Sequence, residues 1–182
     1  MVRVCALIVN YDGERLLGAC LESVATCLAR HAGPTRLLVA DNGSTDGSVD
    51  LVRRDFPTAE VLELGANRGF AGGVNAGVAA SDEEWLLLVN TDMEIAPDAL
   101  ERMLAAVDGP DVGAVGAQIV FAADPGTINS AGIEVDVLEV EEEGLVEAAD
   151  VVEHRPPVER GAGSDAEHLL SARARLGHRP TD

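Results

Sequence analysis

Between Val2 and Phe121 the chain alternates short apolar runs with helix-patterned or turn-rich segments. The apolar runs are Val2–Asn10, Arg36–Ala40, Val61–Leu64, Trp85–Val89 and Val112–Phe121, each short and rich in β-branched or leucine residues, as buried strands are. Between the first two lies Glu14–Arg30, where Leu17, Leu21, Val24 and Leu28 recur at three- and four-residue spacing and so line one helix face. Ser48–Asp55 reads as a second helix, stopped by Pro57. The glycine-rich stretch Gly65–Gly77 leads into a short helix ending near Ala80. Pro97–Val107 reads as the last, with proline in the first turn, where its missing N–H costs nothing. Strand alternating with helix predicts an α/β fold: a mostly parallel, Rossmann-like sheet with helices on both faces, joined by right-handed crossovers.

Ligands of such sheets sit beyond the carboxyl ends of the strands. The residues there are Asn10-Tyr11-Asp12, Asp41-Asn42, Asn67-Arg68-Gly69 and Asn90-Thr91-Asp92, all polar. Asp41 opens a loop dense in turn and cap residues, Asp41-Asn42-Gly43-Ser44-Thr45-Asp46-Gly47. It has two readings: a cap for that loop, or a carboxylate aimed at a base or ribose hydroxyl. Asp92 stands too far ahead of Pro97 for a good helix cap. A carboxylate fixed at a strand end can instead hold Mg²⁺ or Mn²⁺, with ligand phosphates completing the shell. That would let a chain of net charge −19 bind an acidic ligand.

The same charge argues against nucleic acid and against docking on anionic lipid through a basic patch. No Walker loop or GxGxxG motif is present, so an ATPase reading is weak, and without a GxSxG elbow serine hydrolysis has no support. The loop after the first strand is not the glycine-rich, arginine-bearing loop of a sugar-phosphate nucleotidyltransferase. His31, His154, His168 and His178 show no ligand spacing and are expected to be solvent-exposed. Cys5, Cys20 and Cys27 lack metal spacing, and no signal peptide precedes them. Reduced thiols and a cytoplasmic location are the expectation. No stretch of 18 apolar residues is available to span a membrane.

The chain changes character after about residue 133. Nine acidic residues and no Lys or Arg lie between Glu134 and Glu153, and no Phe, Trp or Tyr follows Phe121. Residues 1–133 are therefore read as one domain, and 134–182 as an atypical, poorly ordered tail.

Four segments taken in order resemble the family 2 glycosyltransferases of GT-A fold, in particular their bacterial rhamnosyltransferase-like branch. They are Ile8-Val9-Asn10-Tyr11, Val39-Ala40-Asp41-Asn42-Gly43-Ser44-Thr45-Asp46-Gly47-Ser48, Asn67-Arg68-Gly69-Phe70-Ala71-Gly72-Gly73-Val74-Asn75-Ala76-Gly77 and Leu87-Leu88-Val89-Asn90-Thr91-Asp92. The resemblance covers roughly residues 2–133. It implies an inverting, metal-dependent transfer of a sugar from a dTDP- or UDP-linked donor to a hydroxyl acceptor, a glycolipid or polysaccharide, at the inner face of a membrane. It places Asn10, Tyr11 and Asp12 in the nucleotide pocket and Asp41 against base or ribose. Asn67, Arg68 and Gly69 make another wall. Asn90-Thr91-Asp92 stands where the family has its DXD motif, with Asn90 beside the nucleotide and Asp92 as metal ligand.

The resemblance also implies an acceptor region with a Glu-Asp or similar carboxylate as general base, which proton abstraction from the acceptor requires. This chain has no Glu-Asp pair after Phe121, and no base is identified. Two expectations follow. The chain is truncated, as by a frameshift at about residues 136–140; translating the encoding DNA in the other two frames tests this, and the idea fails if no aromatic-rich segment with a Glu-Asp pair emerges. The alternative to an active transferase is a nucleotide-sugar-binding remnant without turnover.

Overall fold

The computed structural model describes residues 1–109 and 112–130 in full, and the backbone of 175–178. The order is β1 (Val4–Asn10), α1 (Glu14–Leu28), β2 (Thr35–Asp41), α2 (Ser48–Asp55), β3 (Glu60–Glu63), α3 (Gly69–Ala79), β4 (Trp85–Asn90), α4 (Ala99–Ala105), β5 (Ala114–Gly116), β6 (Ile119–Phe121), β7 (Asp124–Ser130) and β8 (Arg175–His178). Six strands form one sheet in the order β3-β2-β1-β4-β8-β5, while β6 and β7 make a separate two-stranded sheet. The block β3-β2-β1-β4 is parallel, and β8 runs antiparallel to both its neighbours. The expected α/β class, with a mostly parallel sheet covered by helices on both faces, is what the chain adopts. Apart from Arg175–His178, the expected poorly ordered tail lies outside the described residues.

The sheet is buried on both sides because alternate side chains of the central strands feed two cores. Val4, Ala6 and Ile8 of β1 join Trp85, Leu87 and Val89 of β4 under α1, α2 and α4. Cys5 and Leu7 join Leu38 and Ala40 on the opposite face, under α3. Leu7, Ile8, Leu17, Leu21, Leu87 and Leu100 are fully buried. Each such side chain contributes about 1.5–3 kcal/mol relative to exposure. All three cysteines are free and buried, in line with the expectation of reduced thiols. Among the described residues no helix is long and apolar enough to cross a membrane.

Three local expectations are corrected. The glycine-rich segment is itself helix from Gly69 onward, not a loop feeding a short helix. Its glycines allow close contact: a Cβ on Gly77 would collide with the Leu7 side chain, and one on Gly73 would sit 2.5 Å from Val9 Cγ1. Tertiary contact with β1 thus outweighs the poor helix propensity of glycine. The expected fifth strand Val112–Phe121 breaks at Ala117-Gln118; Gly113 precedes and Gly116 ends a three-residue β5, and β6 leaves to pair with β7. His31 is half-buried rather than solvent-exposed, and its Nε2 lies 2.9 Å from the Val2 carbonyl oxygen.

Candidate donor site

Parallel register sets the strand ends level. Asn10 pairs with Asp41 across β1–β2, and Val9 with Asn90 across β1–β4. The chain leaves β1 towards β2 on one side, whereas β4 lies on the other. The carboxyl ends of β1 and β4 therefore flank the point where strand order reverses, the usual place for a ligand crevice.

On the β2 side the polar groups bind one another. Asn10 is fully buried, and its Nδ2 lies 3.1 Å from Asp41 Oδ1, 3.0 Å from Ser44 Oγ and 2.8 Å from Ser48 Oγ. An ionised carboxylate only accepts, so Asp41 sets the orientation of the Asn10 amide. Asp41 is 3% exposed. Its other oxygen accepts the N–H groups of Gly43 at 3.2 Å and Ser44 at 3.1 Å. This is the cap-like arrangement of an Asx turn. Gly43 takes a φ of +81°, and a Cβ there would meet the Ala66 backbone at 2.8 Å.

The loops after β1 and β2 are cross-linked around this core. Asp12, exposed and at φ 48°, accepts the Thr45 N–H at 2.7 Å through Oδ1 and donates its own N–H to Ser44 Oγ at 3.0 Å. Asp46 accepts the Glu14 N–H at 2.9 Å, at the start of α1, while Glu14 accepts the Gly47 N–H at 3.3 Å, at the start of α2. Each loop so satisfies an orphan donor of the other's helix. Partial burial works against the charge of Asp46. The Ser48 hydroxyl and the N–H groups of Glu14 and Ser48 outweigh it, holding the carboxyl below its ordinary value.

Asn42 links β2 to the next wall. It is buried; its Nδ2 donates to Gly69 O at 2.9 Å and to Asn67 Oδ1 at 3.2 Å, and its Oδ1 accepts the Arg68 N–H at 2.9 Å. Asn67 Oδ1 also accepts the Gly69 N–H at 2.8 Å. Asn67, Arg68 and Gly69 are themselves exposed, and the Arg68 guanidinium reaches the Leu64 carbonyl at 3.2 Å. Tyr11 is half-exposed at the end of β1.

The β4 end is wired differently. Asn90 is half-buried and Asp92 exposed. The Asn90 carbonyl accepts the Met93 N–H at 3.1 Å and the Cys20 thiol at 3.3 Å. Burial first, then the charges of Asp92 and Glu94, push the Cys20 thiol up to about 12, so it stays a protonated donor. The Asp92 carboxylate has no hydrogen bond or ion pair among the described residues. No group of three His, Cys, Asp or Glu side chains there could hold a metal alone. One free carboxylate at a strand end fits a hard cation whose remaining ligands are phosphate and water oxygens.

The structure thus brings Asn10, Tyr11, Asp12, Asp41, Asn67, Arg68, Gly69, Asn90 and Asp92 to one edge of the sheet. It separates them into groups facing inward (Asn10, Asp41) and groups left exposed (Tyr11, Asp12, Asn67, Arg68, Gly69, Asp92). Sequence reasoning placed Asn42 at the end of the second strand without giving it a role, and did not single out Glu14, Ser44, Asp46 or Ser48. The one available signal was the density of cap-type residues from Asp41 to Ser48.

Comparison with known proteins bears on this edge. N-acetylglucosaminyl-diphospho-decaprenol L-rhamnosyltransferase of Mycobacterium tuberculosis is 33% identical over 95 residues, 46% of this chain and 31% of that protein. Succinoglycan biosynthesis protein ExoO of Rhizobium meliloti is 31% identical over 100 residues, 54% of this chain and 27% of that one. The chain thus spans under a third of the length of either relative. Among solved structures, the mannosyltransferase PcManGT from Pyrobaculum calidifontis in complex with GDP-Man and Mn²⁺ superposes with a TM-score of 0.59 at 25% identity, over 65% of this chain and 36% of that one. S. aureus TarS 1-349 in complex with UDP-GlcNAc shares the fold at TM-score 0.57 and 19% identity, over 73% of this chain and 37% of its own. The model of the family described as glycosyl transferase family 2 matches residues 5–149, most of the chain, and the chain belongs to that family.

Proposed function

We propose that this chain is the donor-binding half of an inverting glycosyltransferase, taking a dTDP- or UDP-linked sugar and passing the sugar to a hydroxyl acceptor on a glycolipid or polysaccharide. The observation that carries the reading is the exposed, unpaired Asp92 carboxylate at the point where strand order reverses. Asp92 is the ligand for Mg²⁺ or Mn²⁺. When bound, the cation neutralises the diphosphate and makes it a better leaving group. The Mn²⁺ and GDP-Man in the PcManGT complex support a nucleotide-sugar donor and a divalent cation as ligands of this fold. The decaprenol-linked substrate in the rhamnosyltransferase's name supports a glycolipid acceptor.

The residues divide the work. Tyr11, Asn67, Arg68 and Gly69 face the nucleotide, with Asn90 beside it. Asn10 and Asp41 shape the loop that bounds the pocket, because the Asn10 amide nitrogen is turned to Asp41, Ser44 and Ser48 and the Asp41 oxygens to Asn10, Gly43 and Ser44. A contact of Asp41 with base or ribose would share or displace one of those bonds. Asp12 holds the Thr45 end of the same loop.

Calorimetry with UDP, dTDP and GDP, each with and without Mn²⁺, tests the reading. Mn²⁺-dependent heat is expected with UDP or dTDP and lost in Asp92→Ala. Absence of heat with every nucleotide would sink it. Binding without release of sugar from any donor would leave a binding remnant instead of a transferase.

A further inference from the structure

The segment that carries Asp92 is gripped by a stripe of three side chains on α1. Cys20, Ser23 and Cys27 are spaced so that they share one helix face. Cys20 donates to the Asn90 carbonyl at 3.3 Å, Ser23 Oγ accepts the Ile95 N–H at 3.1 Å, and Cys27 Sγ accepts the Leu100 N–H at 3.4 Å. Ser23 Oγ in turn donates to the Cys20 carbonyl at 2.8 Å, which fixes the lone pairs it offers Ile95. The three contacts fall before Asp92, after it, and at the start of α4. Beyond the β1–β4 ladder, which ends at Asn90, the Cys20 and Ser23 bonds are the polar ties from residues 90–95 to other elements among the described residues; the Met93 N–H to Asn90 carbonyl bond closes the turn on itself. Ile95 and Leu100 add apolar anchorage, being 5% and 0% exposed.

We propose that Cys20 and Ser23 are positioning residues for the cation site: through the backbone of Asn90 and Ile95 they set where the Asp92 carboxylate stands. The inference rests on the reading of Asp92 as a metal ligand. A hard cation with one protein carboxylate has little tolerance for a displaced ligand, since the other ligands arrive with the diphosphate. The stripe serves this end without touching cation or nucleotide. Its members are small, buried or half-buried, and bonded to main chain, so they fix backbone and leave the crevice open. A wholly apolar α1 face would bury as much area and leave the Asn90 carbonyl and Ile95 N–H without these partners.

The experiment titrates Mn²⁺ into the full chain at a fixed excess of UDP or dTDP, whichever wild type binds, and follows free Mn²⁺ by its paramagnetic resonance signal. Ser23→Ala and Cys20→Ala are expected to raise the half-saturating Mn²⁺ concentration about 3- to 10-fold, the range of one lost hydrogen bond. Ser23→Thr and Cys20→Ser, which keep the acceptor and the donor, restore it. Thr26→Ala serves as control: among the described residues that hydroxyl bonds only within α1, to the Glu22 carbonyl at 2.8 Å, and its loss leaves the titration unchanged. Half-buried Ser23 keeps the test open should Cys20→Ala fail to fold. If Ser23→Ala titrates like wild type while Asp92→Ala loses Mn²⁺, the positioning role is overturned and the metal reading stands. If Asp92→Ala also titrates like wild type, both fall.

Discussion

Asp41 closes β2 and Asp92 follows β4, strands separated in the sheet only by β1. The same side chain meets opposite surroundings. Asp41 is 3% exposed, and both its oxygens are occupied by Asn10, Gly43 and Ser44. Asp92 is exposed and without a partner among the described residues. The difference follows from what comes next in the chain. After β2 the backbone turns at once through Gly43 at positive φ and returns two N–H groups to the carboxylate. After β4 the chain runs out along α1, and its main-chain groups are taken by Cys20 and Ser23 instead. A carboxylate saturated by its own loop supports structure; one left unsaturated at the sheet edge is available to a ligand.

The comparison breaks most readily at Asp41. Asp41→Ala leaves the buried Asn10 amide and two N–H groups short of an acceptor, and about 3 kcal/mol of stability is expected to go, measured by urea unfolding. A loss under about 1 kcal/mol, within the range of ordinary surface changes, would mean the network is not structural. Asn42→Ala comes next. It cuts the three bonds joining the β2 loop to Asn67, Arg68 and Gly69. A cost of about 2 kcal/mol is expected, with weaker nucleotide binding in the same variant. Asp92→Ala should do the reverse: stability within about 0.5 kcal/mol of wild type and at least a tenfold loss of Mn²⁺-dependent nucleotide affinity, about 1.4 kcal/mol. Equal destabilisation by Asp41→Ala and Asp92→Ala would erase the distinction drawn here.

The smallest effect concerns pH. Hydrogen bonds hold the Asp46 carboxyl below its ordinary value in the folded chain. Its contribution is therefore present above the unfolded value of about 4 and lost as pH falls through the lower, folded value. Thermal melts should show wild type more stable than Asp46→Asn at pH 7. The gap should narrow below about pH 4; a gap that widens on acidification would reverse the assigned direction.

Much of the fold was legible because buried strands advertise themselves. Val4–Asn10 and Trp85–Asn90 are continuous apolar runs, as strands covered on both faces must be. Glu14–Leu28 was legible from its repeating leucines. The helix Gly69–Ala79 was legible only at its end, near Ala80; the reason its glycines are helical lies in Leu7 and Val9, more than sixty residues away, which leave no room for a Cβ at Gly77 and Gly73. The break after Gly116 escaped notice because apolar residues resume directly after Gln118, and pairing with β7 is what separates β6 from β5. At the site, the ordered motifs named residues that the fold brings to one edge of the sheet, Asn42 among them, yet Glu14, Asp46 and Ser48 stood hidden among turn-forming neighbours. A cap-type residue serving its own loop and one bridging two loops read alike in one dimension.

By itself the sequence determined the class of fold and which strand ends would be polar, since periodicity and turn chemistry are local properties of the chain. Only the tertiary structure decided which polar end would be spent within the fold. Whether Asp41 or Asp92 finds donors depends on how the loop beyond each strand returns and on what the neighbouring strand and helix present to it. For Asp41, Gly43 and Ser44 are local donors, but Asn10 is distant in the chain and meets it only because β1 lies beside β2; the α1 side chains that take the main chain around Asp92 are more distant still.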